Sequence, residues 1–419
     1  MTTPADMHRG WALRAYLGAT YALTPFAGPV LRRRLAKGKE HTDRWREKLG
    51  HGLAPRPQGR LVWLHGVGLG EVMSLRGLIT RMAARDPDLQ FLVTSTTRVS
   101  AEVFARNLPR RTLHQFLPLD LPGPRRRFLD HFRPDLCIWA EQDLWPGFVS
   151  DLAQRGIPQA VVAARMNARS FRSHNRGSSL FRDLYGAMRQ VTAQDKATAE
   201  HLKALGARAT VTGSLKPAAP ELSFDAAALE KLSSNTKDRL VWAVAPAHPQ
   251  DAAIAKAAHA ELRKVDPTSL LIIAPRFPET WEDATLPHLS AGQMPKADDP
   301  IWLCDTFGDL GLVYRLSQAV LIGGTFSDVE GHNPWEAAQL GNAIFHGPRT
   351  ANFAADFTQL IGAGASVLVE DATDLAKALQ ANNFTALTNN AKTCVMTASK
   401  ATDALVDQLC ALLDPADAN

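Results

Sequence analysis

The chain has 419 residues, 45% of them hydrophobic and 21% charged, which allows two domains with full cores and is ordinary for a globular protein. A formal net charge of +5 and a pI near 9.1 suit an anionic partner, but the interleaved aromatic and basic residues of an RNA-binding module are missing, so nucleic acid is set aside. Four cysteines, Cys137, Cys304, Cys394 and Cys410, lie scattered without paired spacing, which argues against a disulfide framework or a zinc site and favours a reducing compartment.

Residues 11–30 read WALRAYLGATYALTPFAGPV, an apolar run broken by Arg14, Pro25 and Pro29 and followed by Arg32, Arg33, Arg34, Lys37 and Lys39. The run barely reaches the roughly 20 residues that span a bilayer. No small-residue cleavage site stands out, so a removed leader is not expected. Aromatics beside arginines point to a segment lying on an anionic leaflet, with a first buried helix as the bland alternative. Positive charge after the anchor keeps the body on the cytoplasmic side.

From Arg60 onward strands and helices alternate, which predicts parallel sheets with helices on both faces. Strands are expected at 60–65, 91–95, 136–139, 159–163 and 209–212. The loop GVGLGE after the first strand leads into a helix from about Val72 to Ala84. Residues 217–238, rich in Pro, Ala and Ser, read as a linker. A second alternating set has strands at 240–243, 270–274, 301–303, 319–322, 343–345 and 367–369, and amphipathic helices finish the chain. The expected organisation is a membrane-associated segment over 1–40, a first domain over 41–216, the linker, and a second domain over 239–419. Two doubly wound Rossmann-like domains facing a cleft follow, with ligand at the carboxyl ends of the strands.

The stretch GHNPWEAAQLG, residues 331–341, carries the most chemistry. It follows the strand at 319–322 and the pair Gly323-Gly324. A helix can start near Pro334, because proline suits a first turn where its missing N–H would go unpaired. Glycines admit a ligand to the backbone, free N–H groups meet an anion, and Glu336 is placed for sugar hydroxyls. An ordinary βα turn with a surface glutamate is the competing reading, since short glycine motifs match often. No strand leads into G-x-G-x-x-G with an acid about 20 residues on, so a dinucleotide-dependent oxidoreductase is disfavoured.

Taken in order, the motifs resemble the bacterial Kdo transferases, the lipid IVA 3-deoxy-D-manno-octulosonic acid transferases. They are RWREKLG (44–50), WLHGVGLGEV (63–72), EQDLWPG (141–147), AARMNARS (163–170), VTGSLK (211–216), APRFPE (274–279), FGDLGLVY (307–314) and GHNPWE (331–336). The resemblance covers nearly the whole chain. It implies a GT-B fold, a CMP-Kdo donor, a lipid A precursor as acceptor, and inverting transfer with no metal and no cofactor at the inner face of the bacterial inner membrane. The motifs also depart from the family pattern. Gly68 stands where a serine-led loop is usual, Gln142-Asp143 where Thr-Glu is usual, Ala245-Pro246-Ala247 before His248 where Gly-Ser-Thr is usual, Phe307-Gly308-Asp309 for Met-Gly-Glu, and Glu330 for glycine. A relative with another sugar nucleotide, an epimerase of the same fold, or a non-catalytic nucleotide- and lipid-binding homologue therefore remain alternatives.

Transfer needs a base to take the acceptor hydroxyl's proton. Glu71, after a strand and a glycine-rich turn, matches the family's base; its other reading is a first-turn acid favouring the helix dipole. Glu141 and Lys216 match residues assigned to transition-state support, and Lys216 would offset charge on the donor's carboxylate and departing phosphate. For CMP-Kdo, Arg276 after Pro275 supplies a fork for phosphate or carboxylate. Phe307, Gly308 and Asp309 match the nucleotide-holding loop, and Asn333, Pro334, Trp335 and Glu336 the ribose and phosphate loop. His65 and His332 flank these loops and read as hydrogen-bonded scaffold.

Overall fold

The computed structural model describes residues 7–141, 143–281 and 285–414. Gln142 of the acidic motif therefore lies outside the described residues, as do the outer ends of the expected first segment and last domain. The chain forms two compact units, residues 1–219 with 400–419, and residues 220–399.

The first unit opens with α1 (Trp11–Leu23) and α2 (Ala27–Ala36), joined by a short 3-10 turn at Thr24–Phe26. Then β1 (Leu61–His65), α3 (Leu69–Arg85), β2 (Gln90–Ser95), α4 (Arg98–Arg106), β3 (Thr112–Phe116) and α5 (Pro122–Phe132) alternate. Next come β4 (Leu136–Ala140), α6 (Pro146–Gln154), β5 (Gln159–Ala164), α7 (Ala168–Arg176), α8 (Ser178–Gly186), β6 (Gln190–Ala193), α9 (Lys196–Ala204) and β7 (Ala209–Val211). The strands pair in parallel in the order β3-β2-β1-β4-β5-β6-β7. Leu61 through Leu64 and Leu136 through Trp139 are wholly buried, as continuous apolar runs in a parallel sheet covered on both faces must be. One face centres on Trp63, whose ring meets Trp139 and Phe148 edge-on, both at 5.4 Å.

The second unit begins with α10 (Ala226–Asn235), β8 (Val241–Ala247), α11 (Pro249–Leu262), β9 (Leu270–Pro275), β10 (Ile301–Leu303), α12 (Leu310–Leu316) and β11 (Ala319–Ile322). It continues with α13 (Trp335–Gln339), β12 (Ala343–His346), α14 (Ala354–Gly362), β13 (Ser366–Leu368) and α15 (Ala372–Ala381). Its parallel order is β10-β9-β8-β11-β12-β13. The final helix α16 (Phe384–Ala411) starts in this unit and ends in the first.

Three expectations are corrected. Residues 217–238 are not a bare linker, because Asp225 caps α10 by accepting from Ala227 N and Ala228 N. The last residues do not belong to the second domain: Leu405, Val406, Leu409 and Leu413 enter the core on the α3 face of the first sheet. The helix after β1 begins at Leu69 rather than Val72, so Glu71 lies inside its first turn. No helix among the described residues is long and apolar enough to cross a membrane.

Candidate active site

In a parallel sheet every strand ends at the same edge, so whatever follows β1 and β4 is delivered to one place. Glu71 is the third residue of α3, and its carboxylate accepts from Val67 N at 2.8 Å and from Gly68 N. It thus caps its own helix, as a first-turn acid can. Burial outweighs that favourable contact. Desolvation first, then the Glu141 charge, with a smaller share from Asp143, push its carboxyl up to about 7. Gly66 leaves room for this arrangement, since a Cβ there would lie 3.2 Å from both Glu71 Cβ and Val72 N.

Glu141 follows β4 with φ +58, a left-handed backbone that costs a non-glycine residue about 1 kcal/mol or more. Strain of this kind collects at sites where a side chain must be aimed. Lys216 Nζ lies 3.8 Å from Glu141 Oε1, both side chains being largely buried. Glu71, Glu141 and Lys216 are therefore brought together.

His65 is scaffold. Its Nε2 accepts from Trp145 Nε1 at 3.1 Å, which leaves Nδ1 to donate to Thr94 Oγ1 at 2.8 Å. Burial pushes its pKa down to about 3, so the ring stays neutral and clamps the acidic motif to β1.

The predicted donor residues of the second unit also converge. Pro275 ends β9, and Arg276 N donates to Ala247 O at 2.9 Å. The guanidinium sits 5.3 Å from the Phe277 ring centroid. A cavity of about 70 Å³ opens among Pro246, Pro275, Arg276, Cys304, Phe307 and Gly308. Gly308 has φ +100, a conformation that favours glycine, and Phe307 is 68% exposed at the rim. Asp309 accepts from Thr306 Oγ1 at 2.5 Å. Across the motif at 331–336, Asn333 Oδ1 accepts from Trp335 N at 3.1 Å and Nδ2 donates to Glu336 Oε1 at 3.2 Å. Burial raises the Glu336 carboxyl, with the Asn333 amide and the Arg276 charge opposing it.

One assignment changes. Trp335 is wholly buried and its indole donates to Asp356 Oδ1 at 2.6 Å, so its side chain packs the core and cannot face a donor. Pro334 is likewise buried and sets the entry to α13.

Three residues that the sequence reading gave no role belong to the site. Asp143 sits within the acidic motif and acts electrostatically on Glu71. Asp251 is fully buried and accepts from His248 N (3.0 Å), Gly324 N (2.7 Å) and Phe326 N (3.2 Å), which ties the glycine loop after β11 to the start of α11. His248 Nε2 lies 2.9 Å from His332 Nε2, with the rings 4° from parallel. The spacing His248-Pro249-x-Asp251 was the available signal, a helix start with an acid three residues on.

Residues 43–219 match the family model described as 3-deoxy-D-manno-octulosonic-acid transferase (kdotransferase). The chain is 30% identical over 346 residues to the 3-deoxy-D-manno-octulosonic acid transferase of Rickettsia bellii, covering 80% of this chain and 82% of that one. It is 31% identical over 354 residues to that of Bordetella pertussis, covering 78% and 80%. Among solved structures, a glycosyltransferase from Rickettsia africae superposes with a TM-score of 0.56 at 11% identity, covering 86% of this chain and all of that one. The UDP-GlcNAc 2-epimerase from Neisseria meningitidis gives 0.54 at 16% identity, covering 84% and 100%. These two show the fold alone, a GT-B type pair of Rossmann-like domains.

Proposed function

The chain belongs to the 3-deoxy-D-manno-octulosonic acid (Kdo) transferase family, and from that premise we propose that it moves Kdo from CMP-Kdo onto a lipid A precursor with inversion and without metal. The observation that carries the mechanism is Glu71, a carboxylate whose proton affinity sits near neutrality at the carboxyl edge of the first sheet. A base works best with a pKa near the working pH. Glu71 takes the proton of an acceptor hydroxyl as that oxygen attacks the anomeric carbon, and the bond to the phosphate breaks with its electron pair leaving on CMP. Glu141 and Lys216 support the charge that develops. The test is purified protein with CMP-Kdo and a tetraacylated lipid A precursor, read by mass spectrometry. A gain of one Kdo mass or more is expected, and no gain would overturn the assignment.

Because the base must be unprotonated to act, transfer should rise as pH climbs through about 7 and level off above it. An acid limb absent between pH 6 and 8 would remove Glu71 from this role.

On the donor side, Arg276 and Glu336 hold the nucleotide. A charge-assisted contact is worth about 1.5–3 kcal/mol, so Arg276→Ala should weaken CMP binding by roughly 10- to 150-fold in calorimetry. Glu336→Ala should weaken it less, through the ribose hydroxyls. Unchanged affinity in both variants would move the donor site elsewhere.

The acceptor is a lipid, and α1 and α2 suit the cytoplasmic leaflet of the inner membrane. Leu13 and Leu31 are buried, Tyr16 Oη donates to Asp120 Oδ2 at 2.7 Å, and Gly10 N donates to Asp183 Oδ2 at 2.7 Å, so one face is fixed to the protein. The other presents Trp11, Tyr21, Leu23, Phe26 and Val30, with Trp11 77% exposed, and exposed Arg32 and Arg33 follow. Apolar groups would enter the headgroup layer, and each arginine near an anionic surface adds about 1 kcal/mol. Replacing Trp11 and Phe26 with Ser and Arg32 and Arg33 with Gln should release the protein from anionic vesicles in cosedimentation while CMP affinity holds. A variant that pellets like the parent would refute this face.

A further inference from the structure

Helix α7 is built unlike its neighbours. None of its nine residues is buried, and its sequence ARSFRSHNR contains no acid. Asn167 caps it by accepting from Ser170 N at 2.8 Å. Two rings pin it to the body: Phe171 stacks on His201 at 4.4 Å and 10°, and His174 meets Phe181 edge-on at 4.2 Å. Arg169, Arg172 and Arg176 fall three and four residues apart, hence on one face, and all three are exposed.

Like charges at this spacing repel, so an isolated helix gains nothing from them. Some surface arginines of the same unit face carboxylates, as Arg60 does Asp414 at 2.6 Å, Arg85 does Asp407 at 2.9 Å and Arg155 does Asp130 at 2.6 Å. No ion pair holds Arg169, Arg172 or Arg176 among the described residues.

The helix stands at the edge that carries the candidate base. It starts four residues after the end of β5, whose neighbour β4 leads straight into Glu141. His174 on α7 acts electrostatically on Asp143, and Asp143 acts on Glu71. The candidate nucleotide residues belong to the second unit, whereas α7 belongs to the first.

We propose that Arg169, Arg172 and Arg176 form a subsite for a phosphate group on the acceptor headgroup, holding it while the acceptor hydroxyl meets Glu71. The proposal rests on the reading of the chain as a transferase acting on a phosphorylated lipid. Guanidinium forks match phosphate oxygens two at a time, and three of them balance a phosphomonoester dianion with charge to spare.

The experiment compares the full chain with a variant carrying Arg169→Gln, Arg172→Gln and Arg176→Gln, on a bisphosphorylated acyl glucosamine disaccharide in mixed micelles and on the same lipid after phosphatase treatment. The variant should raise KM for the phosphorylated lipid roughly 10- to 100-fold, as several weak exposed contacts together would, with kcat and the donor KM within about twofold. The two proteins should behave alike on the dephosphorylated lipid, and lysines at the three positions should restore part of the loss. Direct binding of the phosphorylated micelle without donor gives the same comparison without turnover. A parent protein that binds it but transfers nothing therefore sinks the transferase reading and leaves the subsite standing. An unchanged KM, an equal defect on both lipids, or a parallel loss of binding to anionic vesicles free of acceptor would each overturn the subsite, the last by making this face a bilayer contact.

Discussion

Glu71→Gln should lower the transfer rate by about 10²–10⁴-fold, the usual cost of losing a general base, while CMP affinity and thermal stability stay at the parent values. The amide keeps the volume of the carboxylate and an oxygen that can still accept from Val67 N, so the start of α3 is preserved. What it loses is the ability to take a proton. The neighbouring acids sharpen the test. Asp143 raises the Glu71 pKa by its charge, so Asp143→Asn should move the acid limb of the pH profile to lower pH without abolishing transfer. Glu141→Gln removes the larger like charge but also the partner of Lys216, so it should shift the limb the same way and lower the plateau. Turnover of Glu71→Gln within tenfold of the parent would mean the proton goes elsewhere.

The sheets were readable because buried parallel strands are continuous apolar runs bounded by turns. Leu61 to Leu64 and Ala319 to Ile322 could hardly be anything else. Short strands at the margins were less visible: β6 at Gln190–Ala193 has polar ends, and β3 at Thr112–Phe116 carries His114 and Gln115. The course of α16 was hidden for a different reason. An amphipathic helix shows that it has an apolar face but not which core receives it, and Leu405, Val406 and Leu409 go back to the first unit across hundreds of residues. At the site, motif order marked Glu71, Glu141, Lys216 and Arg276. It could not tell the buried Trp335 from the exposed Phe307, since both are aromatic residues beside glycine-containing loops. Nor could it show that Glu330 adopts φ +62 and is held by Arg349 at 2.6 Å, where a glycine would carry no strain.

Asp120→Ala should cost the first unit about 3–5 kcal/mol, because it leaves a buried charge and several donors without their acceptor. Asp120 is 6% exposed and sits just before α5. Its two oxygens accept from Tyr16 Oη at 2.7 Å, Gly147 N at 2.8 Å, Phe148 N at 3.1 Å and Arg125 Nη1 at 3.4 Å. The two amides belong to the first turn of α6, so the carboxylate caps that helix from another segment and meets the positive end of its dipole. Arg125 is 3% exposed and, among the described residues, would keep only Asp151, at 2.9 Å, as a charged partner. Gly147 shows how tightly the group is packed: a Cβ there would fall 2.1 Å from Arg125 Nη1 and 2.4 Å from Asp120 Oδ1. Asp120→Asn, which retains one acceptor oxygen, should lose less, and Tyr16→Phe, which removes a single hydroxyl, about 1 kcal/mol. The same carboxylate joins α1, with its exposed apolar side, to the first turn of α6. The Asp120→Ala protein should therefore show a lower urea midpoint and also faster protease cleavage within residues 11–36. A midpoint shift worth less than about 1 kcal/mol, or a rise in cleavage confined to the second unit, would show that α1 is held to the protein by its apolar face alone.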